Sequence, residues 1–184
     1  QLAAAAAASA EAAAAFAAAR DADPLKHLYG DLPLIQSSER TGRTWRQVRS
    51  LSESEAGSTV LVRARVDTVR GGGKSCFMVL RQQTSTIQLV VMADEAAEKC
   101  SKTMVKYAAT LTKESVVDVE AEISVPEKPV ESCSVSTFEL KCVSIKCVSR
   151  AGPLPFDVAD ASRSEAEVAA AAAEGKLLAT VSQD

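Results

Sequence analysis

Three side chains in the middle of this 184-residue chain have the chemistry to hold an unpaired base: the ring of Phe77, the amide of Gln88 and the carboxylate of Glu139. A ring stacks on any base and contributes about 1–3 kcal/mol with little preference among them. An amide offers a donor and an acceptor, whereas an ionised carboxylate only accepts, so both reject a base that leaves them unpaired. Arg63, Arg65, Lys74 and Arg81 place positive charge nearby, where a sugar-phosphate backbone could run. The competing readings are a core aromatic at Phe77, solvated strand residues at Gln88 and Glu139, and four cations that are simply the wet side of a sheet.

Other chemistry has little to work with. Five cysteines at 76, 100, 133, 142 and 147 form no C-x-x-C word, which argues against a zinc ribbon or a secreted disulfide framework. Cys142 and Cys147, five positions apart, would face opposite ways on a regular strand. His27 stands alone, and no metal ligand set is expected. Glu120 and Glu122 share a strand face but have no apolar pocket or partner that would suit acid-base work. Gly71–Gly73 lacks the spacing and the terminal Lys-Ser/Thr of a nucleotide-binding loop, so it reads as a hairpin.

The elements that must position the three side chains follow from alternation. Val60, Val62, Ala64 and Val66 point one way and Arg63, Arg65 and Asp67 the other. Cys76, Met78 and Leu80 form the core set of a second strand, which leaves Phe77, Val79 and Arg81 outward. In a third, Ile87, Leu89 and Val91 are apolar, with Gln88 and Val90 on the outer side. Asp94 to Leu111 breaks the rhythm: Ala96, Ala97, Met104, Val105 and Ala108 fit helical spacing, with Tyr107 and Leu111 near the same side. Val116 to Ile123 resumes it, setting Val117, Val119 and Ala121 against Asp118, Glu120 and Glu122. The stretch from Thr137 to Val148 then buries Phe138 and Leu140 and turns Glu139 and Lys141 out. An all-β core of three strands, one helix and two strands is the order of a five-stranded OB-fold Greek-key barrel, whose second and third strands carry the ligand face.

The words C-F-M-V-L-R-Q-Q, T-I-Q-L-V, S-K-T-M-V-K-Y-A, E-S-V-V-D-V-E and D-A-S-R-S-E-A-E, in that order and spacing, resemble the anticodon-binding region of eukaryotic cytosolic aspartyl-tRNA synthetases over roughly Tyr29 to Asp184. The resemblance implies that Phe77 stacks on the middle anticodon base and Gln88 reads its edge. It also implies that Glu139 contacts an outer anticodon base, that Ser132 makes a polar contact to the anticodon loop, and that Arg70 lies against the anticodon. Unpaired anticodon bases suit this, because they can be splayed out, stacked and bonded on their Watson-Crick edges. Asp, Asn and Lys anticodons share a middle uracil, so Phe77 and Gln88 alone cannot specify the amino acid. For the parent enzyme the resemblance implies ATP-dependent aspartylation of tRNA-Asp in the cytoplasm, by a homodimer that uses Mg2+. No catalytic residue is expected in this chain, which reads as a fragment cut before the catalytic domain and has no cofactor of its own.

Composition divides the chain into an alanine-rich extension (1–23), a helix and loop lead-in (24–58), the barrel (59–150) and an acidic helical linker (151–184). Net charge is −1 over 1–58, +2 over 59–150 and −4 over 151–184, so only the barrel is basic and long-range steering by the whole chain is weak. The alanine tract has no bulky apolar face and is expected to be an appended helix or a disordered linker. It has neither the positive start of a signal peptide nor the composition of a membrane span. Pro24–Tyr29 reads as a short helix and Gly30–Thr44 as loop, with Trp45, Val48 and Leu51 packing a barrel end. Ser162 with Glu165 forms a capping box for a helix reaching about Glu174, where Gly175 stops it. Two further hypotheses remain beside tRNA recognition: a free-standing OB module for single strands, and a protein-interaction scaffold.

Overall fold

Residues 2–38, 40–94, 99–154, 156 and 158–178 are described by a computed structural model of the chain. Two compact units divide at Ala151 and Gly152. The first contains α1 (Leu2–Asp21), β1 (Tyr29–Asp31), β2 (Thr59–Gly72), β3 (Ser75–Gln82), β4 (Ser85–Met92), α2 (Lys102–Ala109), β5 (Val116–Ser124) and β6 (Glu139–Ser149). The second contains α3 (Val158–Ala161) and α4 (Glu165–Ala173).

The strands form one sheet in the order β1-β6-β4-β3-β2-β5, and β5 also pairs with β6. Alternation drives this arrangement, since each strand has one face that must leave water. Val62, Val66, Cys76, Leu80, Ile87, Leu89, Val91, Val117, Val119, Ala121, Leu140 and Ile145 are all fully buried. Helix α2 contributes Met104, Val105 and Ala108 to the same core, and Val48 and Leu51 enter from the segment before β2.

β-bulges in β2 and β6 change which way side chains point. In β2 the register shifts between Val66 and Thr68, so Asp67 is an extra residue; Val66 stays inward opposite Leu80, while Arg70 lies opposite Phe77. In β6, Ala121 pairs with Cys142 and Glu120 with Ser144, which makes Val143 the extra residue. Cys142 and Cys147 therefore both turn toward the core, not to opposite faces as a regular strand would have it.

Several expectations shift at the edges. The expected helix at Pro24–Tyr29 is only a 3-10 turn, Lys26–Leu28, and Tyr29–Asp31, where the expected helix meets the expected loop, is a sixth strand, parallel to β6. Three residues are too few to show alternation, and hydrogen bonds hold the segment instead. Tyr29 Oη donates to the buried Asp23 at 2.8 Å, Tyr107 Oη to Asp31 at 2.6 Å, and Arg150 pairs with Asp31 at 2.9 Å. Burial alone would raise the Asp23 carboxyl, but bonds from Ser101, the Leu25 amide and Tyr29 outweigh it and hold it below the usual range.

Helix α2 is shorter than the spacing suggests, because Asp94 and Cys100 bridge as extended chain and Ser101 caps the first turn by accepting from Met104 N–H at 3.0 Å. Ala96 and Ala97 lie outside the described residues. The capping box of α4 uses Ser164 with Glu167, since α3 occupies the residues before Ser162 and the chain becomes extended only at Ser164. Asp118, grouped by alternation with solvated carboxylates, is buried.

A two-residue loop, Gly73-Lys74, joins β2 to β3, and Gly73 has φ 75° as such a turn prefers. Gly71 has φ 95°, and a Cβ there would sit 2.9 Å from the Ser75 carbonyl oxygen. Gly71→Ala is expected to cost about 2 kcal/mol through backbone strain, measured by urea unfolding. A cost below about 0.5 kcal/mol would mean that the hairpin relaxes freely.

Candidate nucleic-acid interface

The outer face of β2, β3, β4 and β6 gathers the candidate residues in two adjoining rows. Arg70 lies opposite Phe77, Phe77 opposite Val90, and Val90 opposite Lys141. In the next row Thr68 is opposite Val79 and Val79 opposite Gln88. Gln88 Nε2 then donates to Glu139 Oε2 across the β4–β6 boundary at 2.8 Å. Phe77 is 36% exposed, as a stacking surface must be, whereas Val79 and Val90 beside it are only 7% and 6% exposed. The valines form an apolar floor between the longer Phe77, Gln88 and Lys141.

Ser132 reaches this face on the loop between β5 and β6. The loop is held at the start of β4: Thr86 N–H donates to Ser134 Oγ at 2.7 Å, Ser134 N–H to Thr86 Oγ1 at 2.8 Å, and Val135 N–H to the Thr86 carbonyl at 3.0 Å. A depression of about 480 Å³ opens between the loop and the sheet, lined by Arg70, Val79, Thr86 and Ser132, with Asp67 and Lys113 at its side. Cys133 is close enough to Arg70 for the guanidinium to favour its thiolate, but burial pushes the thiol up and leaves it an unreactive packing group.

Cations divide into two sets. Arg63 forms a two-pronged ion pair with Asp118 at 2.7 and 2.8 Å and stacks on Trp45 with its guanidinium carbon 4.7 Å from the ring centroid. The bond to Asp118 raises its pKa further. Arg81 pairs with Glu114 at 2.5 Å and with Asp67 at 3.5 Å, and Arg65 reaches Glu114 at 3.6 Å. Glu114, at φ 66° in the turn before β5, is the shared acceptor, and its bond raises the Arg81 pKa. Arg70, Lys74 and Lys141 are exposed and make no ion pair among the described residues.

Arg70, Phe77, Gln88, Ser132 and Glu139 are thus brought together, with Lys74 on the adjoining hairpin, while Arg63, Arg65 and Arg81 are held by internal carboxylates. Lys141, Val79 and Thr86 belong to the same surface without having been singled out by sequence. Alternation placed Lys141 and Val79 outward, but only the cross-strand register shows which side chains they accompany. Among the described residues, no group of three or more His, Cys, Asp or Glu side chains could hold a metal ion, and no helix is long and apolar enough to cross a membrane.

A sheet whose outer face offers a ring, polar tips and unpaired cations is a platform for unpaired nucleotides. Residues 60–148 match the family of OB-fold nucleic acid binding domains of the tRNA anticodon type. The cytoplasmic aspartate–tRNA ligase of Pongo abelii is 43% identical over 163 residues, covering 88% of this chain and 31% of that protein. That of Caenorhabditis elegans is 40% identical over 149 residues, covering 80% and 28%. Among solved structures, the aspartyl tRNA synthetase from Entamoeba histolytica superposes with a TM-score of 0.71 at 31% identity, covering 85% of this chain and 34% of that one. The domain belongs to the anticodon-binding OB folds, and within them to the aspartyl-tRNA synthetase family. The chain spans about three tenths of the length of the relatives it matches.

Proposed function

We propose that this chain binds tRNA through the anticodon, with Phe77 stacking on the middle base, Gln88 reading its edge, Glu139 meeting an outer base and Arg70 and Ser132 holding the anticodon loop. The observation that carries the reading is the convergence of these residues on one wall, Arg70 directly across from Phe77 and Gln88 bonded to Glu139. Backbone phosphates fall to Lys74, Arg70 and Lys141, which are not neutralised by neighbours, before Arg63, Arg65 or Arg81, which are. The finer architecture proposed is a five-stranded Greek-key barrel, supported by the pairing of β5 with both β2 and β6.

The parent activity proposed is ATP-dependent aspartylation of tRNA-Asp by a cytoplasmic homodimer. ATP and Mg2+ belong to that activity. The reading is tested by titrating the chain at fixed salt with tRNA-Asp and with versions carrying other anticodons, since salt sets the phosphate contribution. Tightest binding to the native anticodon is the expected result. Equal affinity for all of them and for unrelated single-stranded oligonucleotides would favour a general single-strand module.

A further inference from the structure

If Gln88 meets the middle anticodon base, its amide must be able to tell one base from another, and the structure constrains that amide before any RNA arrives. Nε2 donates to Glu139 Oε2 at 2.8 Å. The orientation follows from chemistry: an ionised carboxylate has no proton to give, so only the NH2 edge can face it. Among the described residues the carbonyl Oε1 and the second N–H have no further partner and are left for a ligand. Both side chains rise from adjoining strands whose register is set by Leu89 opposite Leu140, two fully buried residues, so the pair has a rigid footing.

An unrestrained glutamine is a permissive reader. Its terminal amide can flip end over end, exchanging donor for acceptor at little cost. Uracil presents a donor at ring N3 between two acceptors, whereas cytosine presents an acceptor at N3 beside an amino donor. A freely flipping amide satisfies either edge. One held with Oε1 toward N3 accepts from uracil but meets cytosine lone pair to lone pair, which leaves buried acceptors unpaired.

We propose that Glu139 is a positioning residue for Gln88: by taking one amide N–H it fixes the carbonyl toward the base and makes the middle position selective for uracil over cytosine. The proposal rests on the anticodon reading and adds to the contact of Glu139 with an outer base. Its second carboxylate oxygen has no hydrogen-bond partner among the described residues, so the two roles are compatible.

The test uses anticodon stem-loop RNAs that differ only in U or C at the middle position, titrated at fixed salt with the chain, Glu139→Gln, Gln88→Ala and the double variant. The unsubstituted chain should prefer U by roughly ten- to a hundred-fold, the discrimination of a good two-bond contact. In the nearly isosteric Glu139→Gln, position 139 can donate as well as accept, and the preference should shrink at least about five-fold, chiefly by tighter binding of the C form. In the Gln88→Ala background the same substitution should leave the U/C ratio unchanged. NMR of the free protein gives a second readout: the Gln88 side-chain amide protons should be protected from exchange, and the protection should be lost in Glu139→Gln. A U/C ratio that survives Glu139→Gln, or an amide equally mobile in both proteins, overturns the proposal even if outer-base preference changes. Binding of both RNAs no better than an unrelated hairpin overturns the anticodon reading and the proposal with it.

Discussion

Arg63→Ala is expected to destabilise the fold by about 3 kcal/mol while leaving the affinity of the folded protein for RNA nearly unchanged. Arg63 and Asp118 are opposed across the β2–β5 ladder, and the Asp118 side chain is only 5% exposed. Removing the guanidinium leaves that carboxylate, among the described residues, with the Trp45 indole N–H, 3.1 Å away, as its remaining side-chain donor. Breaking a buried pair by deleting one partner costs about 3–5 kcal/mol, and the low end applies because the Arg63 side chain is 42% exposed and water can enter behind it. Loss of the cation over the Trp45 ring adds a smaller amount, about 0.5–1 kcal/mol at a wet site. Arg63→Ala with Asp118→Asn should recover much of the loss, because no charge is then left unpaired. Urea unfolding gives the stability, and titration under native conditions gives the affinity. A folded variant of ordinary stability that binds RNA many-fold more weakly would return Arg63 to the phosphate contacts.

The sheet and the exposure of its outer wall were legible because alternation is enforced by burial: a strand out of register would bury Arg63 and Arg65 and expose Val62 and Val66. Phe77, Gln88 and Glu139 could be placed on that wall by parity alone. Arg70 could not. By the regular count of β2 it falls on the inner side with Val66, and the bulge at Asp67 carries it to the outer face opposite Phe77. Asp67 bears no local mark of that role, since the bulge is a property of two strands in register and not of one. The pairing at Val143 in β6 hid the inward turn of Cys147 for the same reason. Charge was misleading in a different way: Arg63, Arg65 and Arg81 belong to a basic run, yet their partners Asp118 and Glu114 lie more than thirty residues away. Only the folded chain shows which cations are already satisfied. Ser132 depends on the loop clasp at Thr86, where two short polar residues exchange bonds that no spacing rule would find.

Phe77→Ala is expected to weaken binding of every anticodon by about 1–3 kcal/mol, the usual loss for one stacked base, without changing the ranking among anticodons. The face of the ring is sequence-blind because each base has a π-surface, so the ring supplies affinity and leaves discrimination to the polar tips beside it. Its position argues for a direct effect. With 36% of the residue in water, truncation should cost folding less than about 2 kcal/mol, so the variant is folded under binding conditions. Its row neighbours Arg70 and Val90 remain in place, and Gln88 keeps its bond to Glu139 in the adjoining row. Phe77→Tyr retains the π-face and should bind like the unsubstituted chain, whereas Phe77→Leu keeps most of the apolar area and should still lose most of the stacking. That comparison separates stacking from burial, since a purely hydrophobic contact would rank Leu beside Phe and well above Ala. An unchanged titration for Phe77→Ala would remove the ring from the site and move the search for the stacked base to the depression between Arg70 and Ser132.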